Sequence, residues 1–277
     1  MIRIESEGLE DLLLDDWSDG FNCRQLDLGW PATRPVSSSR PLADGSDDGT
    51  AFVGPRVVSL QLDVWATADV TRRARLDRLA AFCHPGRRSE LFFADPSDAP
   101  ERRVLVRADS GSAPLFSPSE TVLQVMFVGY TGLIEAAEVS EETVPPPSPA
   151  EGAPFDWEFP VVFPPAAPEP TVVTSAGSMG AWPTIRIDGP CDGPEVRCGD
   201  RVLAFPDLTV EAGRFLLIDA SARTVLLDGV TDRRGALDLS VSSWWQLAPG
   251  DNDLLFVPAR SGSPSAVTVT WRDSYFL

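Results

Sequence analysis

The sequence predicts a mainly β protein of two β-sandwich-type domains, the first with one inserted helix, joined by a proline-rich connector. Three observations lead to this prediction. The chain has 277 residues, which is ample for two domains that each bury a core without metals or disulfides. Apolar and polar residues alternate with a period of two in many stretches on both sides of the middle of the chain. Residues 141–170 hold ten of the 26 prolines.

The first domain, residues 1–140, contains three long stretches of strict alternation. They are "RVVSLQLDVWA" at 56–66, "RRVLVRAD" at 102–109 and "TVLQVMFVGY" at 121–130. A period of two places one set of side chains on a buried face and the other in solvent. We therefore expect these stretches to be half-buried strands of a sheet.

A single helix is predicted over about residues 71–84. Leu76, Leu79, Ala80 and Cys83 recur there at helical spacing. Asp69 or Thr71 could cap its first turn, and Pro85 with the following glycine would end it.

The segment from Pro31 to Gly54 is predicted as a long, polar, turn-rich loop. Loops of that length are uncommon inside a domain unless they are functional or disordered. Its arginines lie among small polar residues, as they would if presented to a polar or acidic surface. We interpret it as an interface loop, with disorder as the alternative. Its candidate contact residues are Arg34, Arg40, Asp44, Asp47 and Asp48.

Residues 141–170 are predicted to be an extended connector, because proline fixes φ and removes a backbone donor from any ladder. The embedded "FDWEFPVVF" is too apolar for a free linker. We therefore expect Phe155, Trp157 and Phe159 to dock on a flanking domain.

The second domain, residues 171–277, reads as strands alone. Short predicted strands punctuated by turn signals are typical of a β-sandwich or jelly roll. The predicted strands are 184–188, 195–198, 201–205, 214–220, 223–228, 236–241, 253–257 and 266–272.

Within this domain "RFLLIDASARTVLLDG" predicts two strands and a tight turn. Leu216, Ile218, Val225 and Leu227 have a period of two and should face the core, with Asp219 pointing outward and the turn at 221–222.

Trp244 and Trp245 are consecutive, so on a strand they would point to opposite faces. We expect one indole to fill the core and the other to cover a seam with the docked connector aromatics. The alternative is an exposed indole on which a sugar stacks.

The charge balance argues against several partners. There are 23 basic and 41 acidic residues, no lysine, and a net charge of −18. Such a chain repels phosphate backbones and anionic lipid surfaces, so no stable nucleic-acid binding is expected. No apolar run is long enough to span a bilayer, and the acidic start differs from a signal peptide. We expect a soluble protein made in the cytoplasm.

No catalytic residue, cofactor or metal site is predicted. His84 is the single histidine and stands in a helix-ending turn, where a solvated or capping role is the simplest interpretation. The cysteines Cys23, Cys83, Cys191 and Cys198 are too scattered for a disulfide framework. Free thiols are expected, with a Cys191–Cys198 pair as the alternative. No glycine-rich phosphate loop joins a strand to a helix, and the acidic loop at 43–50 lacks the offsets of a calcium loop.

The ordered set of motifs resembles the distal tail proteins of long-tailed, non-contractile phages. In the first domain the resemblance rests on "DGTAFVGPRVVSLQLDVWA", "RRARLDRLAAF", "ELFFADP" and "RRVLVRAD", followed by "FDWEFPVVF" in the junction. In the second it rests on "AWPTIRIDGPCDGPEV", "LLIDASARTVLLDG", "WWQLAPGDNDLLF" and "VTVTWRDSYFL". It covers nearly the whole chain, apart from the 31–54 loop.

The resemblance implies a structural, non-catalytic ring protein, commonly six-fold, in which the first domains surround a channel and a galectin-like second domain lies outside. Such rings join the tail tube to the host-recognition apparatus. The implied partners are further copies of the chain, tail-tube, tape-measure and central hub proteins, with receptor-binding proteins as additional candidates. The implied location is the virion tail tip, after assembly in the bacterial cytoplasm.

Two other functions remain open from the sequence. A carbohydrate-binding module with a fused partner domain would use the tryptophan pair. A central tail hub protein would share the fold of the first domain, although such proteins are longer.

Overall fold

The computed structural model describes residues 1–40, 44, 46–94, 100–112, 120–146, 169–259 and 266–277. The chain forms two compact units. The first comprises Met1–Glu138 together with Ser274–Leu277, and the second comprises Val139–Asp273. The prediction of a mainly β protein is confirmed, and the described ranges contain a single α-helix.

The first unit is built from ten strands of the N-terminal part and one short C-terminal strand. They are β1 Ile2–Glu5, β2 Leu12–Leu13, β3 Phe21–Asp27, β4 Thr33–Ser39, β5 Ser46–Val53, β6 Arg56–Trp65, β7 Ser89–Phe93, β8 Arg102–Ser112, β9 Glu120–Gly129, β10 Ile134–Ala136 and β23 Ser274–Tyr275.

Most of these strands form one antiparallel sheet in the order β2-β1-β7-β8-β9-β6-β3, with β10 paired to β8 and to β23. β4 and β5 form a separate two-stranded hairpin. Alternate residues of the long strands are buried, as the period of two predicts: Val58, Leu60 and Leu62 of β6 lie in the core. Their cross-strand partners on β9 are Phe127, Val125 and Leu123.

The helix, α1, spans Asp69–Phe82, so it begins two residues before the predicted start. Ala68 occupies the N-cap position without a side-chain hydrogen bond, which differs from the expected Asp69 or Thr71 cap. Leu79 packs in the core as expected, but its buried companion is Phe82, whereas Ala80 is exposed. Leu76 and Cys83 pack partly buried against the same core, so the predicted apolar face is confirmed except that Phe82 takes the place of Ala80.

The second unit contains the remaining strands. They are β11 Ser140–Val144, β12 Thr171–Ser175, β13 Thr184–Asp188, β14 Cys191–Asp192, β15 Pro194–Cys198, β16 Arg201–Ala204, β17 Thr209–Val210, β18 Phe215–Asp219, β19 Thr224–Leu227, β20 Thr231–Asp232, β21 Gly250–Pro258 and β22 Ala266–Trp271.

Two sheets enclose the core of this unit. One has the order β11-β22-β13-β18-β19-β20 and the other β12-β21-β15-β16. Leu216, Ile218, Val225 and Leu227 face that core, which confirms the period-two prediction. The turn covers 220–223, where Asp219 accepts a hydrogen bond from the Ala222 N–H at 2.8 Å. The unit is a β-sandwich.

The expected domain bounds of 140, 170 and 277 differ from the observed division at two places. β11 pairs along its whole length with β22, so residues 141–144 form a strand of the second unit. At the other end, β23 pairs with β10, so the chain returns to the first unit after completing the sandwich. Neither pairing leaves a local sequence signal, because both join segments more than 100 residues apart.

One predicted strand of the second domain is wrong. Residues 236–241 form the end of a short 3₁₀ helix, Arg234–Ala236, followed by a turn. Asp238 stabilises this turn by accepting hydrogen bonds from the Ser240 N–H and hydroxyl. A local side-chain cap thus overrides the weak alternation of this stretch.

Candidate assembly surfaces

The segment predicted as a long loop is a β-hairpin, formed by β4 and β5 with a register shift between Pro35 and Ser37. Thr33 to Val36 and Thr50 to Val53 supply strand-forming residues on each side of the turn-rich "ADGSDDG". That flanking β-branched pattern is the signal that the loop interpretation missed.

The hairpin exposes apolar side chains, namely Val36, Phe52 and Val53. Exposed apolar residues on a two-stranded hairpin make it a candidate contact surface.

Three of the five candidate interface residues, Arg34, Arg40 and Asp47, make side-chain contacts within the described part of the hairpin. The Arg34 guanidinium lies 5.5 Å from the centre of the Phe52 ring. Arg40 Nε donates to Asp47 Oδ1 at 2.9 Å, with both side chains exposed. Asp44 is exposed, and the side chain of Asp48 lies outside the described part of the chain. The two arginines and three aspartates give the hairpin a net charge of −1, so it produces no strong electrostatic field.

The two edges of the first-unit sheet differ in length. β3 is seven residues long and pairs on one side with β6, with a bulge between Cys23 and Gln25. At the opposite edge, β2 has two residues. A long open edge is a template for pairing with another chain, whereas a two-residue edge is not. Pairing between β3 of one copy and β2 of another could therefore involve no more than the two residues of β2.

The face of this sheet opposite the core has two contrasting halves. Over β1, β7, β8 and β10 it carries a network of ion pairs, in which Arg3 binds Glu5 and Glu101 at 2.6 and 2.7 Å. Arg103 binds Glu90 and Glu135 at 2.5 and 2.8 Å in the same network.

Over β6 and β9 the same face is uncharged along most of its length. We call this surface the neutral half-face. Its residues are Val57, Ser59, Gln61, Val122, Gln124, Met126 and Val128. Val57 and Val122 are exposed, and Trp65 at the end of β6 is also exposed. Covering such a surface removes apolar area from water without breaking ion pairs. The neutral half-face could have been identified from the sequence, because it consists of the residues of β6 and β9 that alternate with the core residues.

The tryptophan pair of the second unit is divided between inside and outside. Trp245 is fully buried and Trp244 packs partly buried against the same core. Neither lies on a strand, because residues 242–246 are irregular before Leu247 forms a bridge with Ala181. The suggested partners Phe155, Trp157 and Phe159 lie outside the described residues, so the seam stays a prediction. The pair cannot form a double sugar platform, since one indole is enclosed.

The thiols and the histidine occupy structural positions. The four cysteines, all within the described residues, form no disulfide bond, so the alternative of a Cys191–Cys198 pair is wrong. Burial raises the pKa of the Cys23, Cys83 and Cys198 thiols, which suppresses thiolate chemistry. His84 Nδ1 accepts a hydrogen bond from the Gly86 N–H at 3.2 Å, which is the expected role at a helix-ending turn.

Two kinds of site were not found among the residues that the structure describes. No group of three or more His, Cys, Asp or Glu side chains is placed to hold a metal ion. No helix in that part of the chain is long and apolar enough to cross a membrane.

Comparison with known protein families gives a match in the second half of the chain. Residues 176–275 match the family described as siphovirus-type tail component, C-terminal domain. No curated protein matches the sequence significantly.

Solved structures give the fold of the whole chain. The crystal structure of the SPP1 Dit protein, described as a paradigm of the hub adsorption apparatus in phages infecting Gram-positive bacteria, has a TM-score of 0.68 at 15% identity and covers 99% of each chain. Two structures of the phage P2 baseplate in its activated conformation, with Ca and with Sr, have TM-scores of 0.47 and 0.46 at 8% and 9% identity. They cover 98% and 97% of each chain respectively, and the fold assignment depends on the first structure.

These findings confirm the resemblance to phage distal tail proteins: residues 176–275 match the model of the siphovirus-type tail component C-terminal domain, and the whole chain has a fold similar to that of the SPP1 Dit protein.

Proposed function

We propose that this protein is a structural component of a siphophage tail tip, which forms a ring between the tail tube and the host-recognition apparatus. The observation that carries the proposal is the tail-component match over residues 176–275 within a whole-chain Dit fold. The proposed role is assembly without catalysis. The central tail hub protein stays an alternative within the same tail tip.

Assembly through the first unit is supported by its uncovered surfaces. The hairpin, the open edge of β3 and the neutral half-face all belong to this unit. Closed cyclic symmetry covers such surfaces in every copy and leaves none exposed. We propose a six-fold ring around a channel, with the acidic balance of the chain keeping DNA from adhering to the channel wall.

The hairpin is the proposed contact with a neighbouring copy or another tail protein. Its exposed apolar residues and its small charge imbalance suit a polar surface with an apolar centre. Deleting residues 36–48 should abolish ring formation or tail assembly while leaving the fold of both units intact. Normal rings and normal tails from the shortened chain would remove the hairpin from the proposal.

The further proposed partners are the tail-tube, tape-measure, central hub and receptor-binding proteins of the same virion. Gold-labelled antibody against this protein should decorate the end of the tail distal to the capsid. Label on the capsid, or along the length of the tail, would contradict the proposed location.

Carbohydrate binding is the second candidate, with reduced support. Trp245 is enclosed, and among the described residues of the second unit Trp182 and Trp244 keep indole surface accessible. Binding of the full-length protein to a glycan array, lost on Trp244→Ala or Trp182→Ala, would favour this function.

A further inference from the structure

Arg56 is a fully buried arginine at the first position of β6, directly after the hairpin. Its guanidinium donates to three backbone carbonyls from three separate segments. Nε donates to Gly132 O at 2.9 Å, Nη2 to Phe276 O at 2.5 Å and Nη1 to Leu28 O at 3.5 Å. These segments are more than 100 residues apart in sequence, so one side chain joins regions that the chain itself does not.

The guanidinium has no carboxylate within ion-pair distance in the part of the chain that the structure describes, and burial lowers its pKa. A buried charge compensated by carbonyl dipoles alone is costly unless its hydrogen bonds are well placed. The planar fork of arginine spreads its donors over three nitrogens and so reaches acceptors that lie far apart, whereas the three donors of lysine all belong to one nitrogen. The site therefore depends on the geometry of this side chain and not on its charge alone.

The chain enters the hairpin just after Leu28 and leaves it beside Gly132, and the carbonyls of both residues accept hydrogen bonds from Arg56. We call the entering and leaving segments the incoming and outgoing limbs. We call Leu28–Ala32 and Gly54–Pro55 the hairpin root. Its two limbs are joined by hydrogen bonds from the Ala32 N–H to Pro55 O at 2.9 Å and from the Gly54 N–H to Ala32 O at 2.6 Å.

The incoming limb touches the C-terminal segment through Trp30, whose ring lies 5.3 Å from the ring of Phe276 in an edge-on arrangement. The outgoing limb packs on Gly132, where an added Cβ would lie 2.0 Å from Gly54 O. Gly132 has φ +73°, so both its backbone conformation and its contact with the root favour glycine.

The C-terminal segment Ser274–Leu277, which we call the return segment, is held at further points. β23 pairs with β10, the Arg102 guanidinium lies 4.0 Å from the centre of the Tyr275 ring, and Arg102 Nη1 donates to Leu277 O at 3.0 Å. The return segment is thus fixed to the sheet, and Arg56 connects it to the hairpin root.

We propose that Arg56 is a positioning residue that sets the direction of the hairpin by joining its root to the return segment. The hairpin then takes its assembly-competent position only when the chain has returned from the second unit. This inference rests on the proposed function in one respect, namely that the hairpin is a ring contact.

Hydrogen exchange of the full-length protein tests the proposal. In Arg56→Lys, backbone exchange in the hairpin and the return segment should accelerate by roughly tenfold, because at least one charge-assisted hydrogen bond is lost. Exchange in β13 and β18 should not change. Arg107→Lys, at an exposed arginine of β8, is the matched control and should leave the hairpin unchanged.

Two further variants decide the case if Arg56→Lys does not fold. Trp30→Ala removes the ring contact without touching the buried charge, and deletion of Phe276 and Leu277 removes one carbonyl acceptor. Each should accelerate hairpin exchange and reduce the fraction of protein in rings.

Unchanged hairpin exchange in the folded variants would overturn the proposal, and ring loss without faster hairpin exchange would do the same. Faster hairpin exchange in a protein whose wild type forms no rings would support the positioning role and contradict the proposed ring instead.

Discussion

The two units differ in how completely they cover their own surfaces. The second unit closes its core between two sheets, and the turn at 238–243 covers one sheet edge: Asp238 N–H donates to Ala204 O and Ser243 N–H to Val202 O. The first unit leaves a seven-residue edge, an exposed hairpin and the neutral half-face open. This difference supports the proposal that the ring contacts lie on the first unit.

The largest expected effect comes from separating the units. Residues 1–138 joined by a short linker to 272–277 should still form rings, whereas residues 139–273 should be monomeric. The return segment is required because its strand β23 pairs with β10 and because its Phe276 carbonyl accepts a hydrogen bond from Arg56. Light scattering on the two shortened chains checks this.

A chain ending at residue 142 serves as the matched control and should assemble poorly, since it lacks the return segment. Ring-sized particles formed by residues 139–273 alone would reverse the assignment of the two units.

The next largest effect tests the closed core of the second unit. Trp245→Ala should destabilise the protein by about 3–5 kcal/mol, because a fully buried indole leaves a large cavity. Trp244→Ala should cost less, as this ring is only partly buried. Thermal melts of both, beside the exposed Trp182→Ala, provide the comparison. An equal loss of stability in all three variants would show that burial of the Trp245 indole does not stabilise the second unit more than the exposed positions do.

A matched pair of valines sharpens the contrast between the units. Val57 on the neutral half-face and Val172 on β12 are each 54% exposed. Replacing either with Glu should change the free energy of unfolding by less than about 0.5 kcal/mol. Val57→Glu should reduce the ring fraction, because it buries a charge wherever another chain covers this face. Val172→Glu should leave it unchanged, and equal assembly of both variants would exclude the neutral half-face as a contact.

The smallest effect concerns the Arg214–Asp228 ion pair at the open end of the β18–β19 hairpin, opposite its turn. Hydrogen bonds from Arg214 at 2.7 Å and from the Phe215 N–H hold the pKa of Asp228 below its usual 3.8. A lowered folded pKa means that the stabilisation is complete above 3.8 and disappears as the pH falls through the folded value.

Asp228→Asn is the appropriate variant, because Asp228 has φ +53° and asparagine tolerates that conformation. The stability gap between wild type and this variant should therefore close at acidic pH in urea titrations. A gap that is constant from neutral to acidic pH would contradict the role of the charge.

Local patterns predicted the elements whose burial alternates strictly. β6, β9 and β18 follow from their sequences because one face of each is apolar and the other is not. The return segment and β11 could not be predicted, since their pairing depends on contacts with distant strands and their own residues show no distinctive period. The hairpin was missed because its polar turn dominated the composition of the segment.

The candidate site was predictable in part. Arg34 and Arg40 lie on an exposed element, as the interface interpretation requires. Arg56 could not have been singled out, because an arginine at the start of a strand normally points to solvent, and its burial results from three carbonyls that only the fold brings together.

The solution mass of the full-length protein, combined with electron microscopy of the same sample, decides whether the chain forms a ring. We predict closed rings and a mass of about 179 kDa, six times the 29.9 kDa of one chain. A protein that stays at 29.9 kDa at micromolar concentration and shows no rings would contradict this prediction.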